Sequence, residues 1–117
     1  MAAKKKATEK ESHKRQVIYR PRAKWDLESI VVYIGQVQGA PKAAKKLFES
    51  ITNAISNLCE MPELGRRISD ERLDRKHYNS WLVNNYRIFY SYDTGSLTVW
   101  RIVHTSQDLD DCSLVVL

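Results

Sequence analysis

Apolar positions along this chain change their spacing twice, and the changes mark its elements. From Ala23 onward, Leu27, Ile30, Val31, Ile34 and Val37 recur at three- and four-residue steps. That spacing puts them on one stripe of a helix. Gly39 stops this helix and Pro41 starts another. Ala44, Leu47, Phe48, Ile51, Ala54, Ile55 and Leu58 continue the same period, while Lys42, Lys45, Lys46 and Glu49 fall off it and read as a solvent face. So short a joint predicts an antiparallel helical hairpin. Pro62 closes the second helix, and Glu63-Leu64-Gly65 reads as a turn.

Before the hairpin, Val17, Ile18 and Tyr19 form a short strand-like run that ends at Pro21. After it, residues 66–75 are highly charged, with only Ile68 and Leu73 as apolar anchors, and read as a loop or edge segment. The period then falls to two. Tyr78, Ser80 and Leu82 alternate with His77, Asn79, Trp81 and Val83. Asn84-Asn85 is a turn, Tyr86 to Tyr92 a second strand, and Leu97 to His104 a third. Between the last two, Asp93-Thr94-Gly95-Ser96 is a hairpin turn, with Gly95 expected at positive φ. The order is β-α-α-β-β-β. It predicts an α+β domain, a helical hairpin packed on one face of an antiparallel sheet.

Composition refines this picture. The 117 residues suffice for one domain with one core. No apolar run approaches the roughly 18 residues of a membrane-spanning helix. The charged N-terminus lacks a signal peptide's apolar stretch, so a cytoplasmic protein is expected. Cys59 and Cys112 are far apart with no CxxC spacing and read as free thiols. The net charge of +5 is unevenly placed. Residues 1–15 hold six Lys or Arg and two Glu, for +4. The remaining chain nets +1, which does not look like a general phosphate-binding surface. Residues 1–15 are therefore expected to be a flexible basic tail and 16–108 the domain. Residues 109–117 form an apolar tail whose Leu114-Val115-Val116-Leu117 must find cover on this domain or a partner.

Several segments together resemble the ParE/RelE superfamily, the toxins of bacterial type II toxin–antitoxin modules. They are Trp25-Asp26-Leu27-Glu28-Ser29-Ile30 with Tyr33, then Ala43, Ala44, Ile51, Ala54, Ile55 and Leu58. Met61-Pro62-Glu63-Leu64-Gly65-Arg66 is similar to that family's P-E-L-G-R stretch, and Tyr86-Arg87-Ile88-Phe89-Tyr90 to its Y-R-I-x-Y strand. Trp100-Arg101-Ile102-Val103-His104 is similar to its R-x-x-H end, with Asp108 where an R-D pair is common. The resemblance covers about residues 16–108. It departs after His104, where Thr105-Ser106-Gln107 replaces the usual G-x-R.

The resemblance implies a cognate antitoxin as partner, and one of two activities. ParE-like members poison DNA gyrase by binding; RelE-like members cut mRNA on the ribosome. Cutting RNA through its 2′-hydroxyl needs a base, an acid and cations for the phosphorane. His104, His77, Arg87, Arg101, Arg66 and Tyr78 are the candidates. Arg101 and His104 are three residues apart, so a regular strand points them to opposite faces unless a bulge intervenes. Asp108 or Glu28 could instead hold Arg87 or Arg101 in an ion pair. Tyr86, Tyr90 and Tyr92 share a face and read as sheet packing. The near-neutral body and the absence of a dense cationic cluster on the strands favour gyrase inhibition. Target- or antitoxin-contact candidates are then Arg66, Arg67, Arg87, Arg101, His104 and Asp108. The alternatives are a ribosome-dependent endonuclease using His104, Arg87 and Arg101, and a non-toxic antitoxin-binding relic. No phosphate loop or metal-ligand spacing is present, so no cofactor is expected. The hairpin and the sheet edge should leave an apolar groove for a partner's helix or strand. Assembly as a homodimer or as a hetero-oligomer with antitoxin fits equally.

Overall fold

The computed structural model describes residues 14–68 and 78–107. Strand β1 (Gln16–Tyr19) leads into helix α1 (Pro21–Val32), and helix α2 (Pro41–Glu60) follows. A 3₁₀ turn (Pro62–Leu64) and the two-residue strand β2 (Arg66–Arg67) precede β3 (Asn79–Val83), β4 (Tyr86–Tyr92) and β5 (Ser96–His104). No helix among the described residues is long and apolar enough to cross a membrane.

The strands form one five-stranded sheet in the order β1-β5-β4-β3-β2. The β3-β4-β5 meander is antiparallel as expected, but β1 pairs parallel to β5, with Gln16 opposite Ser96 and Tyr19 opposite Val99. The sheet is therefore mixed. The charged stretch after Gly65 does supply an edge strand, Arg66 opposite Ser80 and Arg67 opposite Asn79. His77, Leu73 and Asp108 lie outside the described residues, as do residues 1–13 and 109–117. Lys14 and Arg15 are tied to the body: Arg15 N–H donates to Cys59 O (3.1 Å) and its Nε to Asp93 O (2.6 Å).

Both helices start at a proline, whose missing N–H costs nothing in a first turn. On α2 the stripe buries Ala44, Leu47, Ile51, Ile55 and Leu58 against Leu97, Val99, Ile102, Ile88 and Tyr90 of the sheet. On α1 it buries Ala23 and Leu27, with Ile30 and Val31 half-buried, and it ends at the half-buried Ile34 just beyond the helix. Val37 does not follow the stripe; it is 69% exposed. Residues Tyr33–Val37 form a π-helical turn, in which Gln38 N–H reaches back five residues to Tyr33 O (2.9 Å). The widened turn adds a residue and rotates the next positions off the buried face. Gly39 then takes φ +68°, which ends the helix at little cost.

The two tight turns differ from each other. Asn84 takes φ 52°, a left-handed conformation that Asn tolerates. Gly95 has no positive φ, contrary to expectation. The Asp93 carboxylate organises that turn, accepting from Gly95 N–H (2.9 Å), Ser96 N–H (2.8 Å) and Ser96 Oγ (3.1 Å). These bonds, that of Gly95 first, hold its carboxyl below the usual carboxylate range.

The P-E-L-G-R turn is locked to the sheet by Tyr90. The fully buried Tyr90 hydroxyl donates to Pro62 O (2.5 Å) and accepts from Gly65 N–H (3.0 Å). Gly65 is required by this approach: a Cβ there would sit 2.8 Å from Ser80 O and closer still to the Tyr90 hydroxyl. Burial pushes the Tyr90 hydroxyl up to about 12. A raised phenol pKa gives stability that is complete below about pH 10 and is lost as pH climbs through 12. Tyr90→Phe is expected to cost about 1–3 kcal/mol in urea unfolding at pH 7, because Pro62 O and Gly65 N–H lose their partner. It should also flatten stability between pH 10 and 12. Equal losses for variant and wild type over that range would refute the assignment.

Candidate functional site

The described residues put the candidate side chains in three places. The first is the interior. β5 carries a bulge: Tyr90 pairs with Val99 but Phe89 with Arg101, so Trp100 is the extra residue. The bulge precedes Arg101 and does not separate it from His104. From Arg101 to His104 the pairing is regular, and the two do not converge. Arg101 is 7% exposed and its guanidinium is held by Asp26 of α1, Nε to Oδ2 at 2.7 Å and Nη2 to Oδ1 at 3.2 Å. Asp26 also accepts from Ile102 N–H (3.0 Å), beyond the stretch of β5 that β1 covers. The carboxylate for Arg101 is therefore Asp26, in place of the expected Glu28 or Asp108. Glu28 is exposed on the outer side of α1. Asp26 keeps step with Ala23 and Ile30, three and four residues away, which is the signal in the sequence that it faces inward.

The second place is the sheet face away from the helices. Ile88 and Tyr90 point to the helices, so Arg87 and Phe89 point away. Tyr78, Phe89, Trp100 and Val103 form a second buried cluster there. Beside it is a small recess of about 110 Å³ bordered by Ser80, Arg87, His104, Thr105 and Gln107. Arg87 and the end of β5 border it, without Arg101; the His104 ring itself stands beside its cross-strand neighbour Tyr86, on the helix side of the sheet. Arg66 and Arg67 are exposed on β2 at the sheet's edge.

His104 is engaged locally. Its Nδ1 receives the Ser106 backbone N–H (3.1 Å) and lies 2.8 Å from Ser106 Oγ. A backbone N–H can only donate, so the neutral ring carries its proton on Nε2 and its lone pair is occupied. Its ring also meets Tyr86 edge-on, centroids 5.3 Å apart. A general base needs a free lone pair within reach of the proton it takes; neutral His104 has none.

The third place is the outer side of the hairpin. An open groove of about 700 Å³ runs between α1 and α2, lined by Tyr19, Leu27, Val31, Val32 and Phe48, with Lys24, Glu28 and Thr52 at its borders. It continues into a shallower hollow of about 420 Å³ at Gly35, Pro41, Ala44 and Lys45. Phe48 is 43% exposed although it keeps the α2 stripe. The period marks Phe48 as core; the groove shows that it lies at the stripe's margin. Among the described residues no group of three or more His, Cys, Asp or Glu could hold a metal ion.

Comparisons with known proteins agree with this architecture. No curated protein matches the chain. A solved chain described as "Chromosomal ParDE TA system from P. aeruginosa" is similar in fold, with TM-score 0.60 and 17% identity over 80% of this chain and 98% of that one. The sequence model described as "ParE toxin of type II toxin-antitoxin system, parDE" matches residues 17–109. The chain belongs to the ParE toxin family of type II toxin–antitoxin systems.

Proposed function

We propose that this toxin acts by binding DNA gyrase, without chemistry of its own, and that a cognate antitoxin neutralises it by filling the groove between α1 and α2. The state of His104 and Arg101 carries the first half. A nuclease would need both cation and base at the scissile phosphate. Here the His104 lone pair is taken by Ser106 and Arg101 by Asp26, which leaves Arg87 and Arg66 as cations with no base beside them among the described residues. Arg66, Arg67, Arg87 and His104 remain at the surface as contacts for the target. The groove carries the second half. Apolar, open and flanked by lysines, it suits an amphipathic segment with acidic flanks. Cytoplasmic action follows from either target.

The test is His104→Gln, which keeps hydrogen bonding but removes the titrating ring. A general acid or base contributes on the order of 10²–10⁴ in rate. A binding contact contributes on the order of 1 kcal/mol, roughly fivefold. The variant is expected to remain toxic within about that fivefold. The purified wild type should trap gyrase–DNA cleavage complexes with no ribosome present. Ribosome-dependent mRNA cuts that vanish in His104→Gln, with no gyrase trapping, would install the endonuclease reading instead.

A further inference from the structure

Two arginines and a tryptophan gather where β1 passes into α1. Arg20, Pro21, Arg22 and Trp25 line a shallow hollow of about 410 Å³, which shares no lining residue with the groove or with the recess on the sheet. No carboxylate is among its described lining residues; Lys24 and Glu28 of the same helix border the groove instead. The body of the chain nets only +1, so the hollow is a local cationic site and not part of a general phosphate-binding face.

Rings hold both guanidiniums. Arg20 lies over Trp100, 5.1 Å from the ring centroid, and Arg22 over Trp25 at 4.8 Å. Stacking engages the flat face of a guanidinium and orients the N–H fork at its edge. Asp26 stands near Arg22 as a charge only. Its oxygens accept from Arg101 and from Ile102 N–H, while Arg22 Nε stays 3.9 Å from Oδ1, beyond hydrogen-bond distance. The Arg22 side chain is 51% exposed.

Trp25 is 57% exposed, the highest value for an aromatic side chain among the described residues. An exposed indole beside an ordered guanidinium offers a base a flat surface and its phosphate a fork of donors. Proteins hold single strands by that pairing. An acidic protein segment would satisfy the arginines but leave the ring in water. A lone nucleotide would need a more enclosed pocket. A shallow hollow suits a strand, whose neighbouring nucleotides add their own contacts.

We infer that the hollow binds one nucleotide of a single-stranded nucleic acid, its phosphate on Arg20 and Arg22 and its base on Trp25. The site is a property of the toxin alone and stands apart from the gyrase reading, so its test uses no gyrase.

The probe is a labelled oligothymidine of about ten nucleotides, and its affinity for the full chain is read by anisotropy over a range of salt. Trp25→Ala should weaken binding about fivefold or more with the salt slope unchanged, and Trp25→Phe should recover most of that loss. Arg22→Gln should weaken binding and lower the slope of log K against log salt by about 0.7, the value of one phosphate contact on a single strand. Both positions are exposed, so urea unfolding should move little. Leu82→Ala, at a position 54% exposed on the sheet, should bind as the wild type does. Unchanged affinity in Trp25→Ala and Arg22→Gln would assign the strand to the lysines of residues 1–13 and overturn the inference. An oligoglutamate of equal length that binds as tightly, and weakens equally in Arg22→Gln, would overturn it in favour of an acidic protein segment.

Discussion

Asp26→Ala is expected to lower stability by about 3–5 kcal/mol, because it strands the Arg101 guanidinium inside the protein. Asp26 and Arg101 are 5% and 7% exposed, and three hydrogen bonds converge on the one carboxylate. For a domain of this size the loss amounts to more than about 10 °C in melting temperature. Arg101→Met alone should cost less, because the Asp26 carboxylate keeps the Ile102 N–H (3.0 Å) and Arg22, whose Nε lies 3.9 Å from Oδ1. The double variant should recover much of the loss, since an apolar pair of similar volume often replaces a buried ion pair without penalty. Recovery should be incomplete. Ile102 N–H still lacks an acceptor, worth about 1–3 kcal/mol. Urea unfolding of the four proteins measures the cycle. A single-variant loss below about 1 kcal/mol would show that the pair is solvated and that Arg101 can meet a target.

That pair also shows how far the sequence is legible. The helical hairpin and the meander follow from local periodicity, which each element carries within itself. The pairing of β1 with β5 does not: four residues with an exposed pattern must find a strand some eighty positions away. The partner of Arg101 is hidden for the same reason, 75 residues back on a helix. The Trp100 bulge and the π turn at Tyr33–Val37 are single-residue insertions, and a periodicity window averages them away. Each matters at the site. The bulge comes before Arg101 and leaves the Arg101–His104 spacing regular, and the π turn carries Val37 away from the helical stripe. Gly65 is the opposite case. It is legible as a turn residue, yet its reason is the Tyr90 hydroxyl 25 positions on.

Phe48→Asp is expected to uncouple neutralisation from toxicity. Phe48 is 43% exposed on the groove wall, so its ring contributes little to the core. Aromatic side chains seated in such pockets dominate binding energies, at about 2 kcal/mol or more on truncation. A buried, unpaired carboxylate in their place adds a desolvation penalty of at least the same order. The affinity for purified antitoxin should therefore fall by a factor of about 10² or more, measurable by calorimetry. Stability should fall by no more than about 1 kcal/mol, because the position is half in water already. Toxicity should persist, since Arg66 and Arg67 lie on the sheet's edge, Arg87 on its far face and His104 at the end of β5, none of them lining the groove. In cells, antitoxin that rescues growth against wild type should fail against Phe48→Asp at equal expression. Rescue that is unchanged would move the antitoxin seat off the helical hairpin. Loss of toxicity together with loss of antitoxin binding, in a variant of unchanged stability, would place the target on the same groove, and neutralisation would then be direct competition.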